Sequence, residues 1–365
     1  EDEGTGRSLW PASGDCAILF NRFQLYLGST LIEDIQDYNK LNDIMTKLSM
    51  SPQKKLDHYQ MGFGVEAPVL AGSYFYADQH VPQKIAAAGS KRVFMKLNLS
   101  ALLSQHRYVP LFALGGQGLS IRLHLAPVEE SCIIKDGSTD YSKSFTLTDI
   151  RMLSNMITLE GSLQESYNAA LLSGSSLKIP LKCWETMVNY LPSDSQGSFD
   201  VAISKNYTRL ASLYAFFNRN PASDNAGKVK RVNTHYFPGA SYVETLRYHL
   251  ALGSRRIPDN DVMGTKEAWI RLQNTLGLAN SLAHSTSVDE TSFETTCFGV
   301  GVNCEKLDMV SSSGENCSTG QTLFLKVKGM GSTGGAAGDV PQQCLIAAHF
   351  EGVVAIQDTV VDFFP

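Results

Sequence analysis

The sequence predicts an all-β protein made of two similar β-sandwiches in tandem, with short helical insertions. The first observation is an alternation of apolar and polar residues, clearest at Leu119–Leu125, which is typical of a strand buried on one face. The second is a polar, turn-rich stretch at 128–141, after which an apolar pattern resumes. The third is that the order strands, helix, strands occurs twice along the chain.

Composition limits the possible function classes. The 365 residues suffice for two or three domains of roughly 100–200 residues each. Charged residues make up 18% of the chain, below the ~25% of a typical soluble domain, which predicts that partners cover part of the surface. A net charge of −5 gives no overall attraction for nucleic acid, and the basic cluster Lys228, Lys230 and Arg231 is predicted to be a solvated loop.

Cysteine usage predicts free thiols. The chain has 7 cysteines, none in a CxxC pair, and the odd number excludes a complete disulfide framework within one chain. We therefore expect free, buried thiols and a reducing compartment. No run of about 18 apolar residues is present, so no membrane-spanning helix is predicted. The chain begins at Glu1 rather than Met, which indicates processing or further residues upstream.

The first half begins with a strand-like stretch at 17–31, turned at Gly28-Ser29. Apolar residues then recur at helical spacing and predict a helix at about 33–48, ended by Ser51-Pro52. Residues 52–90 are polar with scattered aromatic residues and predict a long loop, and 93–103 alternates as a strand.

Residues 108–125 predict a hairpin or a sandwich corner. Two strands, at 109–114 and 119–125, flank a Gly-Gly-Gln-Gly turn, whose glycines permit positive φ angles. Leu119, Ile121, Leu123 and Leu125 are expected to face one core.

The second half repeats the pattern. Residues 145–159 fit a helix about as well as strands, and their Thr and Ile content favours strands. A helix with a serine cap is predicted at 162–172, ended by Gly174, and another with a threonine cap at 265–276, ended by Gly277. A Pro/Asp turn is predicted at 255–262. Strands are predicted at 177–191, 199–217, 243–252, 291–301, 321–328, 343–350 and 352–361.

No motif indicates catalysis. GxSxG, HExxH and the P-loop are absent from the sequence, and no GxGxxG opens a helix after a strand. The glycine-rich stretches 115–118 and 329–338 lack the lysine and the following helix of a phosphate site, so turns are predicted. We predict no catalytic, cofactor-binding or metal-binding residue and no enzyme activity.

Three segments resemble one family. They are FNRFQLYLGSTLIEDIQDYNKLNDIM (20–45), YVPLFALGGQGLSIRLHL (108–125) and LALGSRRIPDNDVMGTKEAWIRLQNTLG (250–277). They are similar to the strand, turn and helix patterns of the double jelly-roll major capsid proteins of eukaryotic DNA viruses, especially the Polinton-like virus, virophage and adintovirus branch. The stretch ahead of residue 20 is short for a full first roll. The first roll is therefore either reduced, without its opening strand, or completed by residues upstream.

The resemblance implies a structural protein. It places a first jelly roll at 1–130, a linker at 131–143 and a second jelly roll at 144–365. Three copies would form a pseudo-hexameric capsomer, and capsomers would tile an icosahedral shell around a DNA genome. The implied partners are further copies of the chain and minor capsid or penton proteins, without sequence-specific nucleic acid binding, and the inner end would face minor capsid proteins or a membrane. The implied location is the virion capsid, assembled inside the infected host cell. Residues 52–90, 219–240 and 303–320 are the predicted tower or interface loops.

Two other function classes stay open on the sequence. One is a jelly-roll minor capsid, spike or glycan-binding module, although the single roll or extended shaft common in such proteins is not visible. The other is a β-sandwich hydrolase, which the lack of a nucleophile motif and of paired carboxylates disfavours.

Overall fold

A computed structural model describes most of the chain. The described residues are 7–65, 82–104, 108–114, 116, 118–136, 139–140, 142–192, 197–218, 244–279, 285–295, 297–305, 314–318, 322–330, 341–357 and 360–365.

Strands dominate the described residues. In chain order they are Phe20–Leu27 (β1), Thr30–Gln36 (β2), Leu119–Leu125 (β3), Lys135–Asp136 (β4), Thr139–Asp140 (β5), Leu177–Tyr190 (β6), Phe199–Ile203 (β7), Leu210–Asn218 (β8), Arg247–Leu252 (β9), Arg255–Met263 (β10), Gly299–Asn303 (β11), Leu323–Lys328 (β12), Gln343–Gln357 (β13) and Val360–Phe364 (β14). The helices are Tyr38–Ser49 (α1), Pro52–Met61 (α2), Ala101–Ser104 (α3), Val128–Ser131 (α4), Gly161–Leu172 (α5), Gly264–Thr275 (α6) and Glu290–Thr295 (α7), with 3-10 turns at Cys16–Leu19 and Leu111–Leu114. No described helix is long and apolar enough to cross a membrane.

The larger sheet has eight strands in the order β11-β8-β13-β6-β2-β1-β3, with β14 also paired to β13. The long strand β13 lies at its centre and pairs antiparallel with both β6 and β8. The strands from the first half join the sheet through a parallel contact of β2 with β6, where Asp34 lies opposite Glu185. Strands from both halves of the chain therefore share one sheet.

The smaller sheet has the order β10-β9-β12-β7 and packs over the second half of the larger one. Its inner strand β12 alternates strictly, so that Leu323, Leu325 and Val327 are buried while their neighbours are less so. Tyr248 of β9 donates from its hydroxyl to the Gly301 carbonyl at 3.3 Å, joining the two sheets across the core. Two sheets with few helices match the predicted double jelly-roll class.

Several predicted elements are confirmed. β3 occupies the predicted strand, and Leu119, Ile121 and Leu123 pack against the core, but Leu125 is 54% exposed. The two predicted helices of the second half are α5 and α6. Gly174 and Gly277 follow them with φ of +83° and +71°, as expected of glycines that end helices. The prediction that Ser162 and Thr265 cap these helices with their side chains is wrong, because the N-cap residues are Glu160 and Met263.

The predicted helix at 33–48 is wrong in its first part. Residues Thr30–Gln36 form β2, which returns along β1 after the Gly28-Ser29 turn, and α1 begins only at Tyr38. Ladder pairing with β1 outweighs a helical spacing that is also compatible with a strand. Pro52 does not lead into a loop either. It stands at the start of α2, where its missing N–H costs nothing, and Ser51 caps that helix through the Lys54 amide.

Other secondary-structure predictions are wrong because pairing with distant segments determines whether a stretch forms a strand. Residues 109–114 are not a strand but end in the Leu111–Leu114 turn, and 93–103 forms no ladder and ends in α3. The turn predicted at 255–262 is β10, whose Pro258 is tolerated because β10 is an edge strand.

The remaining corrections concern element boundaries. Residues 291–301 divide into α7 and β11, and the strands predicted at 343–350 and 352–361 are the single strand β13 followed by β14. Residues 145–159 are neither helix nor strand.

Candidate functional site

The most conspicuous surface feature is a run of exposed apolar side chains in 150–172. Eight large apolar residues there are exposed, among them Ile150 at 77%, Leu153 at 81% and Leu172 at 87%. The eight, called here the 150–172 surface, are Ile150, Met152, Leu153, Met156, Ile157, Leu163, Tyr167 and Leu172. Such a concentration on a folded chain marks an interaction site more often than a random surface does.

The first part of this surface has an unpaired backbone. Phe145 and Leu147 still pack against the core, after which the chain runs irregularly to α5. Within the described part of the chain, residues 147–159 make no backbone hydrogen bond. The stretch contains neither Pro nor Gly, so every residue keeps an amide donor and has a side chain. It can therefore offer both apolar side chains and hydrogen-bonding groups to a partner.

Helix α5 forms the second part of the surface. No residue of this 12-residue helix is fully buried. Tyr167 packs on Phe112 with ring centroids 5.8 Å apart, and Gln357 donates to the Gly174 carbonyl at 3.1 Å just beyond the helix. These contacts hold α5 beside the larger sheet while most of its apolar side chains stay open.

Residues 149–172 carry four charged side chains, Asp149, Arg151, Glu160 and Glu165, with a net charge of −2. Asp149 and Arg151 pair with each other at 2.7 Å. Both side chains of this pair are more than half exposed, so the pair adds little stability. What the surface mainly offers a partner is apolar side chains and unpaired backbone groups.

Titratable groups inside the fold stabilise it and do not form an accessible centre. Asp15 accepts hydrogen bonds from the Ala17 amide and the Asn42 side chain and pairs with His58 Nε2 at 2.8 Å, all of them buried. Burial lowers the pKa of His349 to about 4, and its ring stacks on Trp184.

Burial also raises the pKa of Glu33 to about 7, although its Oε1 accepts the Leu102 N–H at 2.8 Å. Among the described residues, no three His, Cys, Asp or Glu side chains come together as a metal site.

The cysteine prediction is confirmed for the thiols themselves. All seven cysteines lie in the described part of the chain, are buried and form no disulfide, and burial raises the pKa of both Cys16 and Cys132 to about 12. A thiol held in its protonated form is a weak nucleophile, which fits a structural role.

The loops predicted as towers have mixed outcomes. Residues 52–61 of the first are helix α2. In the third, Glu315 exchanges backbone hydrogen bonds with Leu210, and the Cys317 amide donates to the Tyr207 carbonyl, so this part packs along β8. The second loop, 219–240, and the basic cluster Lys228, Lys230 and Arg231 lie outside the described residues.

Sequence reasoning did not identify the 150–172 surface. The signal was present, since 145–159 is rich in apolar residues, poor in charge and compatible with two periodicities. The exposure of those residues depends on which faces the remainder of the chain covers.

Comparison with known proteins gives structural but not sequence relatives. No family model and no curated protein matches the sequence. PBCV-1 VP54, fitted into a cryo-EM reconstruction of the virophage Sputnik, superimposes with a TM-score of 0.60 and 13% identity over 98% of this chain and 86% of that one. The Faustovirus major capsid protein gives 0.57 and 9% identity over 99% and 74%. A chain of the Sputnik virophage structure gives 0.52 and 9% identity over 100% and 77%.

Proposed function

Because the chain has the double jelly-roll fold of viral major capsid proteins, we propose that it is a major capsid protein itself. Three copies associate into a pseudo-hexameric capsomer, and capsomers tile an icosahedral shell that encloses a DNA genome. The observation that carries this proposal is the match over nearly the whole chain, which leaves no large region for a separate function.

The surface chemistry supports self-association. A standard protein interface buries about 800 Å² per partner and is depleted in charged residues at its centre. The 150–172 surface exposes eight large apolar side chains, and the chain as a whole carries only 18% charged residues. A structural, non-catalytic role agrees with buried thiols and with acid–base pairs that lie inside the fold.

The division of the chain and its surroundings belong to the same proposal. The first roll comprises 1–130, the linker 131–143 and the second roll 144–365. Neighbouring capsomers and minor capsid or penton proteins are the proposed protein partners, and the inner face of the shell contacts minor capsid proteins or a membrane. The site of action is the virion capsid, assembled in the infected host cell.

The native mass of the full-length chain tests the proposal. We expect a species near three times 39.9 kDa in sedimentation velocity, and shell fragments or particles in negative-stain electron microscopy. A chain that stays monomeric at tens of micromolar contradicts the proposal. Glycan-array binding by such a monomer would instead favour the jelly-roll spike or glycan-binding class.

A further inference from the structure

We infer that the 150–172 surface is the place where a second copy of this chain docks. The inference rests on the proposed self-assembling function and adds to it a named surface. It joins two properties: apolar exposure along 150–172 and an unpaired backbone at 147–159.

The amount of apolar surface suits a protein partner. Burying a large apolar side chain removes about 100 Å² of apolar surface from water, which is the area obtained when 1.5–3 kcal/mol per side chain is divided by ~25 cal/mol/Å². Allowing for their partial exposure, the eight side chains present about 500 Å², over half of the ~800 Å² that each partner contributes to a standard interface. The intervening backbone and polar side chains of 149–160 can supply the remainder.

The backbone indicates the mode of contact. Unpaired amides and carbonyls at 147–159 lose their hydrogen bonds to water when apolar side chains beside them are covered, so a partner must replace those bonds. A strand edge supplies such groups without requiring charge complementarity.

The chain has strand edges of its own to offer. β3 and β11 end the larger sheet, and β7 and β10 end the smaller one. A second copy therefore carries the backbone groups that the 147–159 stretch needs.

The test compares two substitutions of the same kind at two exposed isoleucines. Ile150→Glu places a charge in the surface, and Ile270→Glu places one on α6, outside it, where Ile270 is 56% exposed. Both side chains are exposed in the single chain, so both variants are expected to fold, which circular dichroism and urea unfolding will verify. Sedimentation velocity over a concentration series of the full-length chain then measures self-association.

We expect Ile150→Glu to weaken self-association at least about 30-fold, the effect of losing an interface hot spot, and Ile270→Glu to change it less than about 3-fold. Equal effects of the two variants, or a larger effect of Ile270→Glu, overturn the inference while leaving the proposed capsid function intact. A wild-type chain that never self-associates overturns both.

A second measurement does not depend on any variant. Hydrogen exchange of the wild-type chain should show amides 147–159 exchanging fast when the chain is diluted to monomers and at least about 10-fold more slowly when it is assembled. Fast exchange in both states overturns the inference. Flotation with phosphatidylcholine vesicles tests whether the surface binds a membrane instead. If the wild-type chain binds vesicles and Ile150→Glu abolishes that binding but leaves assembly unchanged, the surface is assigned to a membrane and docking of a second copy is overturned.

Discussion

Glu33 gives the protein a pH-dependent stability that one substitution should remove. Its side chain on β2 is 1% exposed. Oε1 accepts the Leu102 N–H, while Oε2 is buried without a hydrogen-bond partner among the described residues. Loss of hydration therefore favours the protonated acid, and the pKa rises from 4.5 to about 7.

The sign follows from proton binding. Between pH 4.5 and 7 the folded chain keeps a proton on Glu33 that the unfolded chain releases, so the free energy of unfolding falls as pH rises. The contribution is complete below pH 4.5 and is lost as pH passes 7. At 1.36 kcal/mol per pKa unit, the loss amounts to about 3 kcal/mol.

Glu33→Gln keeps the shape and an acceptor for the Leu102 N–H but cannot ionise. We expect the variant to match the wild type near pH 4.5 and to exceed it by about 3 kcal/mol at pH 8. Urea unfolding at several pH values and one fixed protein concentration measures this difference and avoids shifts caused by self-association. Glu129→Gln, which makes the same chemical change at an exposed carboxylate, is the matched control. Parallel curves for Glu33→Gln and the wild type would refute the assignment of a buried, raised pKa to Glu33.

Three further predictions concern other parts of the fold. Burial keeps His349 neutral, with a pKa of about 4, so the contribution of the neutral ring to the free energy of unfolding is complete above pH 6.5 and lost as pH falls towards 4. Relative to the wild type, His349→Phe should therefore gain stability on acidification. A difference in urea midpoints that does not change with pH contradicts this. Leu325→Ala, in the core of the smaller sheet, should lower the free energy of unfolding by about 2–5 kcal/mol. Leu172→Ala, at 87% exposure, should change the free energy of unfolding of the monomer by less than about 0.5 kcal/mol. Similar losses for the two variants in urea unfolding would mean that Leu325 is not in a packed core. Gly329→Ala would drive a Cβ into the Thr245 carbonyl, while Gly174 has a comparable positive φ but open space around it. The melting temperature should therefore fall several degrees further for Gly329→Ala than for Gly174→Ala. Equal decreases in the two melting temperatures exclude the backbone clash as the cause.

The 150–172 surface shows how far sequence can lead towards the candidate site. Low charge content predicted that part of the surface is covered by partners, without saying which part. Ile150, Leu153 and Ile157 fit a helix or a strand, and either reading would have put them in a core. Only the packed structure shows that these residues join neither sheet and lie exposed.

The sequence by itself determined the features that depend on neighbours along the chain. The alternation in β3, β6 and β12, the glycines that end α5 and α6, and the class of the fold could all be predicted, because residue period and permitted φ angles are local properties. The tertiary structure decided what depends on distant partners. Thr30–Gln36 is a strand because β1 lies beside it, Arg255–Met263 is one because β9 does, and the two halves share a sheet through Asp34 and Glu185. Hydrogen-bond ladders between segments far apart in sequence gain their free energy only when the chain brings them together, so no local pattern specifies them.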